Sequence, residues 1–134
     1  MGEKIEIKTI LVDSSFILST LLPDETILAQ FKEHIDSFRR NEVFFKSCEL
    51  LKYEICNSLK SAILQKRISA EKAMILYSAF VLMKIEYLDI DFKKTLNLSI
   101  KHDISFYDAT YLYLAKTYKS KLLTLDKKLA KISQ

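Results

Sequence analysis

Four acids separated by long stretches of chain, Asp13, Glu54, Asp108 and Asp126, are the side chains best suited to chemistry here. Carboxylates gathered in one crevice repel one another at neutral pH, so such a set needs one or two hard divalent cations, Mg²⁺ or Mn²⁺, to neutralise it. Those ions serve phosphodiester hydrolysis: one lowers the pKa of a bound water, and another steadies the leaving oxygen. Each acid also has a plain structural explanation. Asp13 and Asp126 each follow a short apolar run, where an aspartate commonly caps the next helix. Asp108 stands three residues after Ser105, the spacing of a capping box. Glu54 lies about 100° round from the centre of its helix's apolar stripe, at a border where a solvated glutamate also belongs, and spacing alone does not choose it over Glu49.

Two features favour chemistry over capping alone. Asp13 and Asp126 are expected at the carboxyl ends of strands, where open parallel sheets bind ligands. Asp108 opens a segment, residues 106–115, that is apolar almost all round and so predicted to be buried. An ionised carboxylate buried there costs several kcal/mol unless it is paired, capped or metal-bound.

Composition removes competing chemistries. The one glycine, Gly2, lies at the start of the chain. A phosphate-cradling loop, a dinucleotide fingerprint and a nucleophile elbow all need glycine where backbone approaches a ligand or takes strained dihedrals, so all three are excluded. His34 and His102 stand without zinc-type spacing. Cys48 and Cys56, eight residues apart in what reads as one helix, would lie about 12 Å apart, beyond disulfide reach. They are expected to be reduced core thiols of an intracellular protein. The opening Met1-Gly2-Glu3-Lys4-Ile5-Glu6 has acids where a signal peptide has basic residues, and the longest apolar stretch, residues 73–83, falls short of the roughly 18 needed to span a bilayer. A cytoplasmic protein without membrane partners is expected. The 134 residues suit one domain over 1–134, and the net charge of +4 mildly favours an anionic partner.

The elements that must position the acids alternate in type. Strands are predicted at 9–12, 43–45, 86–88 and 122–125. Helices are predicted at 14–22, 24–40, 47–66, 69–83, 91–101, 105–118 and 127–132, with the only proline, Pro23, separating the first two. That alternation argues α/β architecture, a parallel sheet covered on both faces.

The acids and their surroundings resemble the PIN domain and, within it, VapC-type toxins of toxin–antitoxin systems. The matching pieces are Ile10-Leu11-Val12-Asp13-Ser14-Ser15, then Leu51-Lys52-Tyr53-Glu54-Ile55-Cys56-Asn57-Ser58-Leu59. They continue with Ile104-Ser105-Phe106-Tyr107-Asp108-Ala109-Thr110-Tyr111-Leu112 and Leu122-Leu123-Thr124-Leu125-Asp126. The resemblance implies a three-layer α/β/α sandwich and a Mg²⁺- or Mn²⁺-dependent endoribonuclease. Asp13, Glu54, Asp108 and Asp126 would be its metal-binding catalytic acids, and the hydroxyls of Ser15 and Thr124 would support them. It further implies an RNA substrate, a homodimer and an inhibitory antitoxin. Ser47 stands where the family often has a proline, and the chain ends soon after residue 132, so a sheet of about four strands is expected.

Lys46, Lys52, Lys60, Lys66 and Arg67 crowd the segment around Glu54 and are either phosphate contacts or a solvated face. Residues 73–83 have too few polar groups for one exposed helix face, so they are either interior or a protein contact for a dimer or antitoxin. A PIN-like module that binds RNA or protein without cleaving is the alternative function. A phospho-accepting receiver domain would need an acidic pair after the first strand and a lysine after the last. Here those places hold Asp13-Ser14-Ser15 and Asp126.

Overall fold

The computed structural model describes residues 8–134; Gly2 and the acidic opening stretch lie outside them. Elements run β1 (Lys8–Val12), α1 (Ser14–Leu21), α2 (Ala29–Arg39), β2 (Val43–Ser47), α3 (Leu50–Leu64), α4 (Ala70–Leu82), β3 (Glu86–Tyr87), α5 (Phe92–His102), α6 (Phe106–Tyr118), β4 (Leu122–Leu123) and α7 (Lys127–Ile132). The strands form one parallel sheet in the order β3-β2-β1-β4, with Ile10 opposite Phe45 and Val12 opposite Leu123.

Successive side chains of a strand point to opposite faces, and β1 shows why the sheet needs two covers. Ile10 and Val12 enter a core with Phe16, Phe31, Ile35, Leu51, Ile55 and Phe80, supplied by α1 to α4. Leu11 enters a second core with Leu112, Leu114, Leu122 and Leu129, supplied by α6, β4 and α7. Each fully buried Leu, Ile or Phe of this kind contributes about 2 kcal/mol, so all-apolar Ile10-Leu11-Val12 fixes β1 at the centre of three layers. Edge-to-face contacts of Phe16 with Phe31 and Phe45, centroids 5.3 and 5.6 Å apart, tie α1, α2 and β2 together.

Strand order also fixes where a site can form. The chain lays down β1, β2 and β3 outward, then returns through α5 and α6 to the far side of β1 for β4. The carboxyl ends of β1 and β4 therefore flank the point where the progression reverses, the crevice that ligands favour in such sheets.

Several predicted boundaries move for identifiable reasons. α2 begins at Ala29 rather than residue 24, because Asp24 and Glu25 pair with Arg67, at 2.6 and 3.5 Å. α3 begins at Leu50 rather than 47; Ser47 closes β2 and its Oγ donates to the Val12 carbonyl across the sheet at 2.7 Å. Cys48 therefore precedes α3 instead of sharing it with Cys56. Cys48 is a buried free thiol, but Cys56 is exposed, so only one of the two belongs to a core. α4 is neither wholly interior nor wholly surface: Ala73, Leu76 and Phe80 are buried, whereas Met74, Ile75, Val81 and Leu82 face outward. With no glycine to end its helices, the chain takes positive φ at Asn41, Lys66, Lys84, Asp103 and Lys119, each just past a helix. Each costs about 1–2 kcal/mol that glycine would avoid.

Candidate active site

Asp13 follows β1 directly and is 5% exposed. Its Oδ1 accepts from the Phe16 amide at 3.0 Å, making it the N-cap of α1, and from Ser15 Oγ at 2.7 Å. Its Oδ2 accepts from Thr124 Oγ1. Ser15 Oγ in turn accepts from the Leu125 amide at 2.9 Å, and Thr124 Oγ1 from the Asp126 amide at 3.1 Å. These bonds lace the end of β1 to the end of β4. Burial pushes the Asp13 carboxyl above its ordinary pKa, the hydrogen bonds pull it back, and the negative charge of Glu54 pushes it up again.

Glu54 is half-buried on α3, and its Oε1 accepts from the hydroxyl of Tyr111, which is buried on α6. Glu49, the competitor by spacing, is exposed and pairs with Lys52 at 3.1 Å, so the structure separates the two. Asp108 is only half-buried in the first turn of α6, where its amide donates to Ser105 Oγ at 3.0 Å. Full burial, expected from the apolar segment, begins at Ala109, and Phe106, Tyr107 and Asp108 of the first turn stay partly or largely exposed. Partial burial first, and the charge of Asp126 second, raise the Asp108 pKa. Asp126 is exposed and caps α7, its Oδ1 accepting from the Leu129 amide at 2.9 Å.

Electrostatically the acids fall into two pairs, Glu54 acting on Asp13 and Asp126 on Asp108, and Thr124 Oγ1 links the Asp13 carboxylate to the Asp126 backbone amide. The donors are all hard oxygens, and Glu54 Oε2 and Asp126 Oδ2 carry no protein hydrogen bond among the described residues. That chemistry fits Mg²⁺ or Mn²⁺. Among the described residues, however, no three His, Cys, Asp or Glu side chains come together as a ready cluster for one ion.

Tyr111 and Ser47 are site-supporting residues that sequence reasoning missed. Tyr111 lies three residues after Asp108, on the same face of α6, and that spacing could have found it. Of the five cations around Glu54, three are held internally: Lys46 by Glu86, Lys52 by Glu49 and Arg67 by Asp24. Lys60 and Lys66 remain exposed.

A three-layer α/β/α sandwich with paired acids beyond the carboxyl ends of its central parallel strands defines the class. Residues 10–134 match the PIN domain family, and the chain belongs to it. It is 27% identical over 125 residues to Ribonuclease VapC3 of Pyrobaculum aerophilum, covering 90% of this chain and 92% of that protein. Its fold is similar to the crystal structure of PAE2754 from Pyrobaculum aerophilum, with a TM-score of 0.66 at 22% identity, over 98% of this chain and 87% of that one.

Proposed function

We propose that the protein is a VapC-type, metal-dependent endoribonuclease that hydrolyses RNA phosphodiester bonds. The observation that carries this reading is the hydrogen-bonded junction of β1 and β4, where Ser15 and Thr124 hold the Asp13 carboxylate and Thr124 accepts from the Asp126 amide, at the reversal point of a PIN-domain sheet. Likeness to a ribonuclease over most of both chains supports it. Asp13, Glu54, Asp108 and Asp126 would hold Mg²⁺ or Mn²⁺. When bound, such an ion supplies charge neutralisation and activation of water. The chain's own part is positioning. Ser15 and Thr124 hold the Asp13 carboxylate, and Tyr111 fixes Glu54 through Oε1 and leaves Oε2 free.

The same reading assigns a cytoplasmic location, a homodimer and an antitoxin partner. The outward Met74, Ile75, Val81 and Leu82 of α4 are apolar surface suited to such contacts. No described helix is long and apolar enough to cross a membrane.

The test is cleavage of single-stranded RNA by purified protein with Mn²⁺, with EDTA, and with Asp13→Ala or Asp108→Asn. Activity should need the metal and fall by about 10²–10⁴-fold in either variant, the range for groups acting directly in the reaction. Cleavage surviving in both variants would overturn the reading. A non-cleaving RNA- or protein-binding module is favoured by one observation, the lack of a ready three-acid cluster among the described residues. Calorimetric titration of Mg²⁺ into wild type and Asp108→Asn separates the two: the nuclease binds the ion and the variant does so more weakly, whereas a binding module shows neither effect.

A further inference from the structure

A cleft of about 400 Å³ opens beyond the ends of β2 and β3, and its lining includes the sequence neighbours of Glu54 and Asp108. Tyr53, Phe92, Phe106 and Tyr107 line it, and the buried Cys48 and Thr110, Sγ to Oγ1 3.5 Å, close its floor. Its size falls in the range of roughly 300–1,000 Å³ typical of small-ligand clefts. Tyr53 is 74% exposed, Phe92 69% and Tyr107 61%, an unusual outlay of aromatic surface around one opening.

Two of the cleft's rings are direct sequence neighbours of acids. Tyr53 directly precedes Glu54 on α3, and Tyr107 directly precedes Asp108 on α6. Neighbours on a helix differ by about 1.5 Å in height and 100° in direction, so each helix end turns an acid one way and a ring the other. Thr110 of the floor is followed by Tyr111, which holds Glu54.

The rim identifies which part of the strand enters. Glu49 and Asp89 stand there, and Glu49 already holds Lys52. Carboxylates repel phosphate but accept hydrogen bonds from the amino group of adenine, guanine or cytosine. Exposed aromatic rings stack on unpaired bases, the usual way single-stranded RNA is gripped. We propose that this cleft receives one unstacked, amino-bearing nucleobase beside the phosphodiester to be cut, stacked on Tyr53 or Tyr107 with its amino group toward Asp89 or Glu49. The inference rests on the ribonuclease reading and adds to it a source of sequence preference.

The test compares wild type, Tyr53→Ala, Tyr107→Ala, Tyr53→Phe and Asp89→Asn on single-stranded RNA oligonucleotides with one cut site and each base placed on either side of it. The alanine variants should raise KM about tenfold with kcat little changed, in line with the strength of base–aromatic stacking. Tyr53→Phe should keep the wild-type KM, and Asp89→Asn should weaken discrimination against uracil. A second measurement needs no cleavage: an RNA carrying 2-aminopurine should be quenched on binding to Asp108→Asn protein in EDTA, and not once Tyr53→Ala is added. Unchanged KM, preference and quenching in the alanine variants would overturn the proposal. So would a change confined to oligomeric state in sedimentation, which would make this face a contact between protein chains. Cleavage persisting in both Asp13→Ala and Asp108→Asn would instead remove the ribonuclease reading of these acids, and quenching would still decide whether a base enters the cleft.

Discussion

Asp13 and Asp108 lie at the same end of one sheet, but the fold holds them in opposite ways. Asp13 is buried, accepts from Ser15, Phe16 and Thr124, and caps α1 while it laces β1 to β4. Asp108 is half-exposed, with the Ser105 hydroxyl beside it and the charge of Asp126 against it. The first acid is part of the architecture, and the second is mounted on it. One half of the candidate site is therefore inseparable from stability, while the other adds electrostatic strain that folding would be better without.

The largest effect should come from removing the architectural acid. Asp13→Ala deletes a helix cap, about 1 kcal/mol, and leaves the Ser15 and Thr124 hydroxyls and the Phe16 amide short of an acceptor, a further 1–3 kcal/mol or so. A loss of about 2–4 kcal/mol in urea unfolding is expected, against a change within about 0.5 kcal/mol for Asp108→Asn. Equal losses in the two variants would break the contrast. Next comes Tyr111→Phe, which removes a buried hydroxyl from a carboxylate. The cost should be about 1–2 kcal/mol, below the usual value for charged hydrogen bonds because water can reach the half-buried Glu54. Thr124→Val keeps shape but removes the bridge between the two acid pairs. It should cost about 1 kcal/mol and, since groups supporting metal ligands tune them, about 10–100-fold in Mn²⁺-dependent cleavage. A Thr124→Val enzyme as active as wild type would show that the pairs work independently.

The same division explains what the sequence made legible. Asp13 and Asp126 could be placed because apolar runs ending in an acid report both a strand and its end, and all-apolar Ile10-Leu11-Val12 reports a strand covered on both faces. A parallel sheet covered on both faces was readable from the alternation of strands and helices, and its PIN-like form from the resemblance of the motifs around the four acids. Spacing alone could not tell Glu54 from Glu49, because both fall in the predicted helix and the choice depends on a contact of Glu54 with Tyr111, far along the chain, while Glu49 stands just ahead of α3 and pairs locally with Lys52. Asp108 seemed buried because its helix is apolar all round; a helix's first turn can project past the layer it packs on, and periodicity carries no record of that. The cations around Glu54 could be read as phosphate contacts or as a solvated face, because the partners of Lys46, Lys52 and Arg67, namely Glu86, Glu49 and Asp24, leave no mark in the spacing. Cys56 looked like core because no pattern marks where an amphipathic stripe ends.

The smallest expected effect tests the strain on the mounted pair. The folded protein raises the Asp108 pKa above its unfolded value, first by burial and then by the charge of Asp126. The native state therefore binds this proton more tightly than the unfolded chain does. Below the unfolded pKa the group is protonated in both states and costs nothing; as pH rises through the folded pKa, the native state must accept a charge it disfavours, and stability falls. Asp108→Asn is neutral at every pH and escapes that cost. In EDTA, the two proteins should match in stability near pH 3, and the variant should pull ahead as pH rises, levelling out by neutrality at about 0.5 kcal/mol, because solvent at this half-exposed position screens the repulsion. Thermal unfolding in a pH series reads the gap directly. A gap that is constant with pH, or that favours wild type at neutrality without metal, would show that neither burial nor Asp126 burdens Asp108 in the folded state. Repeating the series on Asp126→Asn assigns the share that belongs to Asp126, which is the part of the gap that this variant abolishes.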